Sequence, residues 1–363
     1  MEISNKECDG LHIIKSDTRG AADAIESHKL DPPGATPGPA TLFDWKRDYR
    51  GNLNWLQPST IFLCVHGSRA YGLATETSDV DIKGITVPPR EYFHGFLRKF
   101  EQAESKNPDM TIYDVRKFFQ LAADCNPNII EILWGADEDI IEMSKWGEYI
   151  RHFRGNFLSQ KAKYTFSGYA IAQLKRIKTH RKWLIDPPTH KPTRDEFGLP
   201  ETTLISADIV GAIKALDDKG VLVDHEAEFG PAVMHAYQRE RAYHNALTHW
   251  QQYENWKANR NPARAVMERE SGYDRKHATH LVRLMRMCRE ILTDGKVIVK
   301  RPDREELLAI RNGAWEYDQL IEWAERQDAE MADLVEKSPL RKSPDRAYLD
   351  EICRVVVDGM LGC

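Results

Sequence analysis

The clearest apolar pattern lies at 61–87, IFLCVHGSRAYGLATETSDVDIKGITV. An unbroken apolar run reads as a buried strand. Gly67-Ser68 interrupts it with a short turn or helix, and Asp79-Val80-Asp81 leads a second apolar run, a second strand. In TIYDVRKFFQLAADCNPNIIEILW, Thr111 to Tyr113 suits a short strand and Asp114 stands where a helix N-cap belongs. Val115, Phe118, Phe119 and Ala122 then follow at i, i+3, i+4 and i+7, the spacing of a helix with one apolar face. Asn126-Pro127 is expected to end that helix, and Ile129, Ile130 and Leu133 to begin another. Beyond about 146 the periodicity turns helical. Over 273–292, Leu281, Leu284, Cys288 and Ile291 form an apolar stripe beside a second stripe of Lys276, His280, Arg283 and Met287. Residues 1–42 contain DPPGATPGPAT, where Pro and Gly are too dense for a regular element. The expected organisation is an extension at 1–42, an α+β domain at 43–145 and a helical domain at 146–363, with no internal repeat.

Composition narrows the class. At 363 residues and 41% hydrophobic content the chain can bury a sizeable core as one large or two ordinary domains. No run of about 18 apolar residues predicts a membrane span, and the start, MEISNKECDG, lacks the order of a signal peptide. The six cysteines include no CxxC pair, which argues against a zinc site or a disulfide framework and for a reducing, cytoplasmic setting. A net charge of -5 argues against a generic nucleic-acid coat but leaves local basic surfaces open.

Such a surface is expected at 149–185, where nine Lys or Arg occur without one Asp or Glu. Lys175, Arg176, Lys178, Arg181 and Lys182 cluster on one expected helix and are candidates for RNA phosphates. Tyr164, Phe166, Tyr169 and Trp183 interleave with this segment, either as base-stacking groups or as core.

The acidic pair carries the chemistry. Two carboxylates two residues apart on a strand share a face, where they can hold divalent cations and, through them, phosphates. Gly67 allows close approach of the backbone to those phosphates. An apolar strand, Gly-Ser, a loop of about ten residues, Asp-x-Asp and a second strand together resemble the nucleotidyltransferase signature of the DNA polymerase β superfamily. GSRAYGLATETSDVDIKGI further resembles the RNA-ligase-associated, RNA-repair-pathway branch of that superfamily (RlaP), as do 116–134, 166–184 and 273–299 continuing through RPDREELLAIRNG. The resemblance implies a polymerase-β-like catalytic core, a helical second domain and a role in RNA end repair, with an RNA ligase as a functional partner.

Nucleotidyl transfer needs in-line attack on the α-phosphorus and stabilisation of pyrophosphate, which two divalent ions about 4 Å apart supply. Mg²⁺ or Mn²⁺ would sit on Asp79 and Asp81, with the NTP phosphates on Gly67, Ser68 and the nearby Arg69 and Lys83. A third carboxylate is expected on an adjacent strand. Asp109 shares a face with Thr111 and Tyr113 and is the preferred candidate; Asp114 competes but also fits as an N-cap, and Glu104 and Glu131 are lesser options. Lys276, His280 and Arg283 would reach the triphosphate or an RNA phosphate from the helical half. His277 and His280 show no carboxylate or Cys companion nearby, which argues against His280 as a metal ligand. The expected activity is transfer of a nucleoside monophosphate to an RNA end. Transfer to a protein hydroxyl, as in AMPylase-like toxin–antitoxin enzymes, and a non-catalytic NTP- or RNA-binding module are the alternatives.

Overall fold

A computed structural model describes residues 42–362 apart from 77, 204, 219–229 and 261. The expected extension therefore lies, up to residue 41, outside the described residues. All described residues fall within a compact unit, Gly38–Cys363.

Two short helices, α1 (Trp45–Asp48) and α2 (Leu56–Ser59), precede β1 (Thr60–His66), α3 (Gly67–Ala70) and β2 (Asp81–Thr86). A hairpin of β3 (Gln102–Lys106) and β4 (Asp109–Asp114) leads into α4 (Val115–Ala123) and α5 (Pro127–Trp134), followed by β5 (Ile140–Met143) and α6 (Lys145–His152). The described chain beyond β5 is helical: α7 (Gly168–Ile185), α8 (Ala207–Asp218), α9 (Pro231–Ala258), α10 (Pro262–Ser271), α11 (Arg275–Asp294), α12 (Arg304–Arg311), α13 (Tyr317–Lys337) and α14 (Arg346–Leu361). The strands form one mixed sheet in the order β3-β4-β2-β1-β5, with β2 and β4 parallel and the other pairs antiparallel. The chain is thus α+β, with a five-stranded sheet followed by a helical region, as a polymerase-β-like fold requires.

Strand alternation divides the sheet into two faces. Leu63, Val65, Ile82, Met110 and Ile112 point to one face, where Phe43, Trp45 and Leu56 cover them. Phe62, Cys64 and Ile85 point to the other, into a core that continues through α4, α5, α7 and α11 and reaches Val356 on α14. Helix starts follow side-chain caps: Asp114 accepts from Arg116 N at 2.7 Å, and Asp274 from Lys276 N and His277 N at 2.8 and 3.0 Å. One boundary differs from expectation. Asn126-Pro127 opens α5 rather than ending α4, with Asn126 as cap and Pro127 in the first turn, where a missing N–H costs nothing. The preceding helix has already stopped at Ala123, and Cys125 takes a φ of 53°.

Helix α11 packs against α7, α12 and α13. It is therefore buried far more widely than one apolar stripe predicts, Arg283 included. No described helix is long and apolar enough to cross a membrane, and none of Cys64, Cys125, Cys288 and Cys353 is in a disulfide.

Candidate active site

Because β1 runs antiparallel to β2 and β4 runs parallel to it, the end of β1 and the starts of β2 and β4 share one edge of the sheet. The register places His66 opposite Asp81, and Asp81 opposite Asp109. Residues so paired sit on one face of adjacent strands about 4.8 Å apart. The next row holds Cys64, Lys83 and Thr111, and Lys83 Nζ donates to Thr111 Oγ1 at 2.8 Å.

Asp79, Asp81 and Asp109 line one cavity of about 440 Å³ together with Gly67, Ser68 and Lys83. Its opposite wall is Lys276, His280 and Arg283 from α11 and Arg311 from α12. Asp79 enters differently from expectation. Strand β2 begins at Asp81, so Asp79 reaches the cavity from the end of the preceding loop and not by strand alternation. Burial, then the charges of Asp79 and Asp109, push the Asp81 carboxyl above its ordinary range, against the pull of Lys83 and Lys276. A cation among these three groups would relieve that repulsion.

Gly67 has a φ of 66° and a Cβ there would overlap Asp81 Oδ2. Gly67→Ala is expected to cost about 1 kcal/mol or more from left-handed strain and to displace the Asp81 carboxylate. Isothermal titration with Mg²⁺ and NTP should show binding weakened at least about tenfold, a loss of about 1.4 kcal/mol.

Behind the cavity lies a buried polar cluster. Glu131 Oε2 accepts from Tyr71 OH at 2.5 Å and Glu131 Oε1 from Arg283 Nη1 at 2.5 Å. The Arg283 guanidinium lies 3.7 Å from the Tyr71 ring centroid, and His280 Nδ1 is 3.3 Å from Arg283 Nη2. Burial raises the Glu131 carboxyl, but the Arg283 charge and the hydrogen bonds from Tyr71 and Arg283 outweigh it, and the net shift is downward. Arg283 thus spends its charge on Glu131, which removes it as a free phosphate ligand and removes Glu131 as the third carboxylate. Burial pulls His66 down to about 4 and His280 to about 3. Both rings stay neutral in the fold while the unfolded chain protonates them near 6.5. Stability is then full above about 6.5 and falls as pH drops toward about 4. Thermal melts from pH 7 to pH 4.5 should show a steady fall beginning near 6.5; a flat profile down to pH 5 would contradict the burial of these rings.

Other expected residues lie elsewhere. Arg69 donates to the carbonyls of Ser78 and Asp79 at 2.9 and 3.2 Å, bracing the acidic loop instead of lining the cavity. Asp114 caps α4 and accepts from the Arg116 guanidinium at 2.6 and 3.0 Å. Glu104 sits on β3 and accepts from Gln102. None of Lys175, Arg176, Lys178, Arg181 and Lys182 lines the cavity. Lys178 pairs with Glu325 at 2.9 Å, and Arg181 donates to Gly272 O and covers the Tyr317 ring. Lys175, Arg176 and Lys182 are exposed. Phe166 and Trp183 are core, whereas Tyr164 and Tyr169 are exposed.

Arg311 and Asn128 line the cavity without having been expected there. No periodicity marks either. Contrary to expectation His277 has a carboxylate companion: Asp274 lies three residues before it, and His277 Nε2 is 3.5 Å from Asp274 Oδ2; the Asp-x-x-His spacing is the visible signal. The glycine-serine turn is gripped from the helical half at three successive carbonyls. Arg301 N donates to Tyr71 O at 3.2 Å, Arg304 Nε to Gly72 O, and Arg311 Nη1 to Leu73 O at 3.1 Å.

Residues 50–186 match the model of a family described as RlaP, the RNA repair pathway DNA polymerase beta family. The match supports the RlaP-type branch indicated by the motifs. The chain is also similar to an uncharacterized 38.9 kDa protein of the nrdC-mobD intergenic region of Enterobacteria phage T4, 30% identical over 129 residues. That alignment covers 32% of this chain and 38% of the phage protein. No solved structure matches the chain.

Proposed function

We propose that the chain is a metal-dependent nucleotidyltransferase that moves a nucleoside monophosphate from an NTP to a hydroxyl at an RNA end and releases pyrophosphate. The observation that supports this most is the meeting of Asp79, Asp81 and Asp109 with Gly67 and Ser68 on one cavity. The donors are all carboxylate oxygens, the set that suits Mg²⁺ or Mn²⁺; burial, then the charges of Asp79 and Asp109, raise Asp81, and a cation would offset that repulsion. Asp79, Asp81 and Asp109 would hold the ions, which when bound supply charge stabilisation of the attacking and leaving oxygens.

The protein's own part follows from the two walls. Gly67, lacking Cβ, and Ser68 let the backbone approach the β- and γ-phosphates, and Lys276 and Arg311 offer positive charge to them from the facing wall. An Asp109 carboxylate oxygen takes the proton of the acceptor hydroxyl as the hydroxyl oxygen bonds the α-phosphorus and the bond from that phosphorus to pyrophosphate breaks. The exposed basic residues of α7 (Lys175, Arg176 and Lys182) fit an RNA backbone.

The test offers each α-³²P NTP with short RNAs, total RNA and cell lysate. Labelled RNA supports the proposal. Label on protein would move the acceptor to a protein hydroxyl, and nucleotide binding without any labelled product would make the chain a binding module. The third carboxylate has its own test. Asp109→Ala should abolish labelling while leaving the melting temperature nearly unchanged. Asp114→Ala should cost about 1–2 kcal/mol of stability through the lost cap and keep the transfer rate within a few-fold. The reverse pattern would reassign the role to Asp114.

A further inference from the structure

Apart from the acidic cavity, three potential ligands converge where α7 meets the start of α11. His180, Asp274 and His277 each offer a donor atom, all within 4.8 Å of one another. Asp274 is 4% exposed. Its Oδ1 accepts from Lys276 N and His277 N, and its Oδ2 faces His277 Nε2. His180 Nδ1 is buried and has no hydrogen-bond partner. A buried nitrogen without a partner costs about 1–3 kcal/mol and asks for an explanation.

We propose that His180, Asp274 and His277 form a second metal site, selective for a zinc-class transition ion rather than magnesium. Two imidazoles and one carboxylate are a nitrogen-rich donor set, which suits zinc; magnesium takes oxygen ligands. Tetrahedral zinc places neighbouring donors about 3.4 Å apart, so small side-chain rotations close the site. Trp183 stacks on His180 with ring centroids 5.5 Å apart, and Trp256 also lies 5.5 Å from it. These rings fix the imidazole and keep the surroundings apolar, as the outer layer of a metal site does. Glu268, held by Arg260 at 2.7 Å, stands beside Asp274. The missing CxxC pairs bear only on cysteine zinc sites. The ion would tie α7 to the start of α11 at Asp274 and His277, two residues before and one residue after Lys276, making these positioning residues for the cavity wall.

The full-length chain, stripped with chelator and kept in excess Mg²⁺ to saturate the acidic cavity, is titrated with Co²⁺. One equivalent should produce the strong visible absorption of four-coordinate cobalt, and Zn²⁺ should displace it. Affinity should fall at least about tenfold in His180→Gln and in His277→Gln, and stay unchanged in Asp81→Asn. X-ray absorption of the zinc-loaded native chain, which needs no variant to fold, should show two imidazoles in the coordination sphere. No cobalt absorption, absorption lost in Asp81→Asn instead, or zinc without imidazole would each overturn the proposal. Since nucleotidyl transfer is not measured, failure here leaves the proposed function standing, and failure of that function leaves this site standing.

Discussion

Asp81→Asn is expected to reduce the proposed nucleotidyl transfer at least about 10³-fold in kcat/KM, a loss of about 4 kcal/mol in transition-state stabilisation, without unfolding the chain. Asp81 is the middle of the row His66, Asp81, Asp109, and its charge is the one most crowded by its neighbours. An amide keeps the shape and removes the charge that a divalent ion needs. The same change removes repulsion with Asp79 and Asp109, so in metal-free buffer the variant should melt at the same temperature as the native chain or higher. Mg²⁺ should then raise the native melting temperature and leave the variant's unmoved. Single-turnover labelling and calorimetry check both halves. A variant that keeps a tenth of the native rate would mean that the cavity does not work through this carboxylate.

Arg283→Met is expected to have the largest effect on stability, about 3–5 kcal/mol. Arg283 is 1% exposed and Glu131 likewise, and removing one partner leaves the other as an uncompensated buried charge. The urea midpoint should fall at an unchanged slope. Arg283→Met combined with Glu131→Leu should recover much of the loss, because well-packed apolar replacements of a buried pair are often near neutral. If the double variant is no more stable than Arg283→Met alone, the cost lies in the contact with Tyr71 and not in the stranded carboxylate.

The parts legible in the sequence are those written over short distances. The β1 and β2 runs, the Gly67 break, the Asp114 cap and the alternation of Asp109 with Thr111 and Tyr113 are each decided within a few residues. Strands β3 and β5 were not legible. Both lie at the edges of the sheet, so QAESK and IIEM lack the buried pattern that marks a central strand. The lead-in to β2 misled for a related reason: the alternation argument holds only where pairing has begun, and pairing begins at Asp81. In sequence Arg283 reads as a free phosphate ligand because its partner, Glu131, is 152 residues away. The same distance problem hid Arg311, which meets Leu73 across 238 residues. His180 is invisible as a partner of His277 until α7 and α11 are packed together.

The grip of Arg301, Arg304 and Arg311 on the carbonyls of Tyr71, Gly72 and Leu73 bears on how such a gene can be cut and recombined. A fragment spanning 50–186 would contain every acid of the cavity yet leave the turn beside them unsupported and the basic wall missing. The chemistry and its scaffold are therefore inherited together: recombination within this gene must preserve both ends of the chain's long return, and the acidic segment cannot be transplanted as a self-sufficient cassette.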